Sequence, residues 1–345
     1  MPAQQNRQIR YVKRPTGTLG TDSFQLTEGT VPEAGEGRVL VRNLLVSIDP
    51  ANRAWMQAAT YRAQLNEGDV MAGYGLAEVV DGTTSIPAGT VVGGDFGWQE
   101  YAAVPAAEVE PLEIDGELSH YLSILGITGL TAYFGLLSVG RPVEGETVLV
   151  SGAAGATGNV VGQLAKLHGC RAVGIVGSQE KAAFVTDELG FDAAISYRSE
   201  TYYQDLKAAC PDGVDVYFDN VGGVSLEYAL RLLNLHGRAV CCGSVSAYDG
   251  EAPAAGPRGV PGLITTKRLR LEGLIVHDFE DEFGQARARL RTWIDEGRLT
   301  VLEDVLEGIE ALPQALVGLL AGENTGKRMV RIADRTESSG TSAAD

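Results

Sequence analysis

The stretch from Val148 to Leu167, VLVSGAAGATGNVVGQLAKL, constrains the chain more than any other. An apolar strand runs through a turn of small residues straight into an apolar helix, the unit from which parallel α/β layers are built. Gly152, Gly155 and Gly158 clear side chains from the turn. Backbone N–H groups and the positive end of the helix dipole are then open to an approaching anion. Gly162, one turn on, lets the helix lie close to the sheet. The spacing is G-x-x-G-x-x-G rather than G-x-G-x-x-G, and tight strand-to-helix turns also use glycine. The strand before and the helix after supply the context that a phosphate cradle needs, so a dinucleotide is expected over Ser151 to Gly158.

The surrounding pattern agrees. Strands are expected at 147–151, 172–176, 193–197, 214–219, 239–242 and 270–276, with helices at 159–168 and 179–189. Alternating β-α units predict an α/β fold, a doubly wound parallel sheet with helices on both faces. Residues 121–139 have helical spacing, and Thr128 or Thr131 is the expected cap. The first ~120 residues read as a β-rich, barrel-like domain with strands at 39–48, 75–80 and 90–92. A helix is expected at 290–296, and Met329 to Ile332 as a strand returning to the first domain. A length of 345 residues favours two domains. The expected organisation is 1–123, 124–296, a returning segment 297–333, and a disordered Ser/Thr/Ala/Asp-rich tail 334–345.

A net charge of −17, from 45 acids against 28 bases, repels phosphate backbones and argues against nucleic acid as a partner. It also means that an anionic cofactor needs a local positive site. There is no uncharged apolar run long enough to span a membrane, and Met1 to Arg7 lacks the apolar core of a signal peptide, so a cytoplasmic protein is expected. The four cysteines, Cys170, Cys210, Cys241 and Cys242, form no C-x-x-C pair, and the four histidines are scattered. No metal site is expected, and unpaired thiols fit a reducing compartment.

The end of the second strand of the sheet selects the dinucleotide. NAD sites place an acid there for the ribose hydroxyls. Here the strand ends Val176-Gly177-Ser178-Gln179, Glu180 falls on the following helix, and Lys181 stands three residues past Ser178. As a point charge near a 2′-phosphate, Lys181 favours NADP(H). As a solvated helix lysine it would say nothing.

Several separated segments together resemble the zinc-independent medium-chain dehydrogenase/reductases, in the branch of prostaglandin reductases, alkenal double-bond reductases and bacterial curcumin reductase. They are Ser47-Ile48-Asp49-Pro50 with Arg53, Gly129 to Leu136, the glycine turn, Leu189-Gly190-Phe191-Asp192, Phe218-Asp219-Asn220-Val221-Gly222-Gly223, and Gly322 to Lys327. The resemblance covers nearly the whole chain. It implies a β-rich GroES-like catalytic domain beside a Rossmann domain, and a homodimer. Carried over by segment, Gly155, Ala156, Thr157 and Gly158 hold the pyrophosphate, and Lys181 and Tyr197, beside Ser178, hold the 2′-phosphate and adenosine end. Asn220 touches ribose, and Asn324 reaches phosphate or ribose. Cys242, Gly243, Ser244, Val245, Ser246 and Tyr248 line the nicotinamide half, with Leu274, Ile275 and Val276 beside them. Tyr197 has a packing reading as well, Asn220 a turn-shaping one, and Leu274 to Val276 would be core in any parallel sheet.

Zinc-dependent relatives carry a Gly-His-Glu segment and a four-cysteine lobe. Here the comparable stretch is Met71-Ala72-Gly73-Tyr74-Gly75-Leu76-Ala77-Glu78, and no cysteine precedes Cys170. Lewis-acid activation is therefore not expected. The expected chemistry is hydride delivery from NADPH to the β-carbon of an enone or enal. Tyr248 would donate to the developing oxyanion, or else only pack over the nicotinamide, and the α-carbon would take its proton from solvent. Quinone reduction on the same scaffold is the alternative, and a non-catalytic NADPH-binding protein the third reading. The branch commonly has Asp-Pro-Tyr-Met-Arg where this chain has Asp49-Pro50-Ala51-Asn52-Arg53. Ala51 opens that wall of the substrate pocket, and Tyr61 is a candidate to replace the missing tyrosine.

Overall fold

The computed structural model describes residues 5–59, 62–249 and 256–336. Tyr61 lies outside them. The chain divides into two compact units. Unit 1 comprises Met1–Ser119, Val305–Ala321 and Arg328–Asp345; unit 2 comprises His120–Asp304 and Gly322–Lys327.

In unit 1, β1 (Gln5–Tyr11) and β2 (Phe24–Thr30) form an antiparallel ribbon. The seven-stranded sheet contains β3 (Arg38–Ser47), β4 (Tyr74–Asp81), β5 (Val91–Asp95), β6 (Tyr101–Pro105), β7 (Glu110–Pro111), β14 (Glu303–Glu307) and β15 (Lys327–Arg331). Along β3, Val39 and Val41 face one cluster with Val79 and Val92. Val46 faces another, with Ile9, Trp98, Leu312, Leu316 and Val330. The returning helix Leu312–Leu320 and β15 thus complete the unit 1 core.

Helix α1 (Pro50–Trp55) is held at its start by Asn52, whose Oδ1 accepts from Asp49 N at 2.8 Å and whose Nδ2 donates to Ala72 O at 3.0 Å. Asn52 is therefore buried structure, and Ala51 sits half-buried on the same core. The first residues of the expected tail hydrogen-bond to β3 and β4. Arg42 Nη2 donates to Asp334 O at 2.8 Å, and Thr336 N donates to Glu78 Oε2 at 3.2 Å. Composition gave no hint of these backbone anchors. Residues 337–345 lie outside the described part.

Unit 2 is a six-stranded sheet in the order β10–β9–β8–β11–β12–β13, every neighbouring pair parallel. Its strands are β8 (Thr147–Ser151), β9 (Arg171–Val176), β10 (Ala193–Ser196), β11 (Val214–Asp219), β12 (Leu233–Cys241) and β13 (Arg270–Gly273). Central β8 is buried throughout because helices cover both faces. Val148 and Val150 point into the cluster under α3 (Ala156–Leu167), and Leu149 into the opposite one, with Leu206 of α5 (Tyr202–Ala209).

Three local expectations change. The helix within 121–139 is α2 (Ile127–Phe134), continued by π-type turns over Gly135–Gly140. Its N-cap is Gly126, because the Thr128 and Thr131 hydroxyls donate backwards, to Ser123 O (2.9 Å) and Ile127 O (2.6 Å). The last strand stops at Gly273, at the sheet edge, so Leu274 and Val276 are buried while Ile275 is 56% exposed rather than core. Gly162 makes room for an aromatic ring: a Cβ there would stand 1.8 Å from Phe191 Cζ, and the same ring lies against Gly174 of β9. Phe191 therefore fills the gap between α3 and the sheet.

Candidate active site

The order of unit 2 reverses between β8 and β11, and ligands of open α/β sheets bind outside such a switch point. Ser151 ends β8 and Asp219 ends β11. The buried Asp219 Oδ1 accepts from Tyr217 OH (2.8 Å), Ser151 Oγ (3.2 Å), Val221 N (3.1 Å) and Gly222 N (2.8 Å). Burial, with Asp219 alongside, drives the Tyr217 phenol well above its ordinary pKa, so it stays a donor. Asn220 bridges the strand tips, its Nδ2 donating to Ser151 O at 2.7 Å and its N to Ser151 Oγ at 2.9 Å.

The glycine turn closes tightly beside this hub. Gly152 has φ +64°, and Gly155, the N-cap of α3, donates its N–H back to Gly152 O at 2.9 Å. A Cβ on Gly158 would lie 2.2 Å from Gly152 O. Asn159 Nδ2 ties down Gly155 O (2.7 Å) and Ala156 O (3.0 Å). The N–H groups of Ala156, Thr157 and Gly158 open α3 with no acceptor one turn back. Such a bare, side-chain-free cradle fits a pyrophosphate.

At the tip of β9, Ser178 caps α4 (Gln179–Asp187), its Oγ accepting from Lys181 N at 3.2 Å, and Glu180 is exposed on that helix. Lys181 is not a solvated helix lysine. Its Nζ donates to Gly322 O at 2.7 Å and to Asn324 O. The same segment pairs with the glycine turn, Gly326 N donating to Ala154 O at 2.8 Å and Gly155 bridging to Gly326. Asn324 is buried there, with Nδ2 on Gly326 O at 2.9 Å. Tyr197 is half exposed, its N bonded to Val176 O at 3.0 Å and its ring in the space left by Gly177.

The loop after β12 is laid over the tip of β11. Cys242 N and Gly243 N donate to Asp219 O (2.9 and 3.0 Å), Val245 N to Asn220 O (3.3 Å) and Ser246 N to Val221 O (3.1 Å). Leu274 N joins Cys241 O at 3.1 Å, placing Leu274, Ile275 and Val276 next to this loop. Tyr248 OH accepts from Ser244 N at 3.4 Å. Hydrogen bonds thus join Gly155, Ser178, Lys181 and Asn324 into one group and Asn220 with 242–246 into a second, while Tyr248 is bonded within its own loop.

The sequence did not single out Asp219, which reads as a turn-former after a strand, or Arg198, whose guanidinium carbon lies 5.6 Å from the Tyr197 ring centroid. Its only signal was a basic residue following a strand-end aromatic. Among the described residues no three His, Cys, Asp or Glu side chains converge, and no helix is long and apolar enough to cross a membrane.

Burial raises the thiol pKa of Cys242 to about 12 and those of Cys170 and Cys210 to about 11, from a reference of 9.0. These thiols stay protonated at neutral pH. They should react with iodoacetamide at pH 8 far more slowly in the folded protein than after unfolding, which mass spectrometry reads directly. The unfolded chain loses these protons first, so their contribution to stability is present below pH 9 and fades as the pH rises toward 11.

Comparison with known proteins fits this geometry. Residues 7–112 match the family described as the N-terminal domain of oxidoreductase, and residues 156–291 the family described as zinc-binding dehydrogenase. The NADPH-dependent curcumin reductase of Escherichia coli K12 is 37% identical over 344 residues, covering 96% of this chain and 98% of its own. The 2-alkenal reductase (NADP(+)-dependent) of Nicotiana tabacum is 40% identical over 342 residues, covering 95% and 97%. The chain belongs to the medium-chain dehydrogenase/reductases. Within these dehydrogenase/reductases it falls in the branch of curcumin, prostaglandin and alkenal reductases. CurA from Vibrio vulnificus in complex with NADPH superposes with a TM-score of 0.90 at 34% identity, covering 95% of this chain and 99% of that one. The quinone oxidoreductases of Pseudomonas syringae and Escherichia coli, at 20% and 21% identity, show a likeness of fold alone.

Proposed function

We propose that this medium-chain reductase uses NADPH to reduce the carbon–carbon double bond of α,β-unsaturated ketones and aldehydes, without zinc. The observation that carries the reading is the Gly152–Gly158 cradle, too tight for a Cβ at Gly158, in a chain whose relatives include an NADPH-dependent curcumin reductase and a 2-alkenal reductase (NADP(+)-dependent). Bound NADPH supplies the hydride that reaches the β-carbon. Ala156, Thr157 and Gly158 N–H groups, with Gly155 as cap, hold the pyrophosphate. Ser178, Lys181 and Tyr197 hold the adenosine end, and Asn220 and Asn324 the ribose and phosphate oxygens. Cys242 to Ser246 with Leu274 to Val276 line the nicotinamide half. Negative charge gathers on the substrate carbonyl oxygen, and Tyr248 donates to it. Its oxygen accepts from Ser244 N, which leaves the phenolic proton to be given. The α-carbon takes its proton from solvent.

NADPH consumption, followed by absorbance across enals, enones, nitroalkenes and quinones, tests the reading, with NADH in parallel. Turnover of enones and enals is expected; turnover of quinones alone would replace it with the quinone alternative. Tyr248→Phe should lower kcat on an enone about 100-fold and leave NADPH affinity unchanged. Full retention of kcat would remove Tyr248 as donor.

The reading includes a cytoplasmic homodimer. Free cysteines favour a reducing compartment, and among the described residues β13 ends the parallel sheet with an edge that a second copy can cover. Light scattering during gel filtration decides the dimer: a monomer mass at micromolar concentration counts against it.

A further inference from the structure

A 2′-phosphate bound by a chain of net charge −17 needs fixed cations. The Lys181 ammonium donates to the carbonyl oxygens of Gly322 and Asn324, so part of its donor capacity is spent on the backbone. A second cation stands at the same sheet edge. Tyr197 N is bonded to Val176 O, the last residue of β9, and that strand end is where NAD and NADP sites diverge. The next residue is Arg198. Its N donates to Ser196 Oγ at 3.2 Å, which fixes the backbone at the tip of β10. Its guanidinium is exposed, lies over the Tyr197 ring at 5.6 Å, and has no carboxylate partner among the described residues. The Tyr197 ring itself rests beside Gly177, 3.6 Å from where a Cβ would stand.

We propose that Arg198 is a specificity-determining residue of the cofactor site. Its guanidinium, carried on the Tyr197 ring, grips two oxygens of the 2′-phosphate and so sets NADPH above NADH. Planar, always charged and able to bind bidentately, arginine adds a two-point grip that the Lys181 ammonium, already bonded to two carbonyl oxygens, does not give. The proposal rests on the NADPH reading above.

Calorimetric titration with 2′,5′-ADP and with 5′-ADP tests it without turnover. The wild-type protein is expected to prefer 2′,5′-ADP. Arg198→Gln, at an exposed position, should weaken 2′,5′-ADP about tenfold or more and leave 5′-ADP unchanged, with Arg198→Lys in between. A wild-type preference that survives Arg198→Gln intact overturns the proposal and leaves the NADPH reading standing. Equal weakening of both ligands overturns it too, because Arg198 would then merely support Tyr197. A wild type that does not distinguish the two ligands overturns the proposal together with the cofactor reading.

Discussion

Gly158→Ala should give a folded protein that no longer holds NADPH tightly. The new Cβ would stand 2.2 Å from Gly152 O, 2.8 Å from Gly152 C and 3.0 Å from Ala153 Cα. All three are backbone atoms, so no rotamer change relieves the contact and the turn itself must open. Overpacking of this kind costs about 1–3 kcal/mol. The larger effect is on the ligand, because the N–H groups at the start of α3 lose their common aim. Hydrogen bonds to a charged group contribute about 1.5–3 kcal/mol each, so losing two raises Kd by roughly 100-fold or more. Gly155→Ala is the control inside the same turn. Its Cβ meets only Gly152 O, at 3.2 Å, and its φ of −83° suits any residue. A fluorescence titration with NADPH should show a severe loss for Gly158→Ala and a mild one for Gly155→Ala. Equal affinities for Gly158→Ala and the wild type would remove the cradle as the binding element.

Asp219→Ala should produce the largest loss of stability among single substitutions near the site. It leaves Tyr217 OH, Ser151 Oγ, Val221 N and Gly222 N facing a cavity between two strand tips. Stranding this many buried donors is expected to cost about 3–5 kcal/mol, a fall of roughly 10 °C in Tm for a unit of this size. Asp219→Asn keeps one acceptor oxygen and should recover about half of that loss. Thermal unfolding by circular dichroism measures both variants. A Tm for Asp219→Ala within error of the wild type would mean that the turns after β8 and β11 are fixed by other contacts.

The layered α/β architecture was legible because periodicity and glycine are local. The strand–turn–helix unit of β8 and α3 needs no distant partner to be recognised, nor does the apolar run of a strand covered on both faces. What stayed hidden depends on contacts far apart in sequence. Phe191 over Gly162 is one such contact, and Lys181 on the carbonyl oxygens of Gly322 and Asn324 is another. Asp219 is another, because an aspartate after a strand has the same local appearance whether it shapes one turn or gathers four donors. Ile275 departs from the packing reading because β13 ends at Gly273, which leaves Ile275 beyond the strand and exposed. Thr128 and Thr131 show the limit of capping patterns, since both hydroxyls found nearer acceptors behind them.

The six residues from Gly322 to Lys327 leave unit 1 after Ala321, serve unit 2, and hand the chain back at Arg328. Neither unit is therefore a module that gene surgery can lift out whole. A fragment ending at Asp304 would carry the glycine turn without Gly326 against Ala154, and the lysine without its carbonyl oxygens. Shuffling such domains between relatives has to transplant this short excursion along with the sheet, or the recombinant inherits a cofactor cradle with one wall missing.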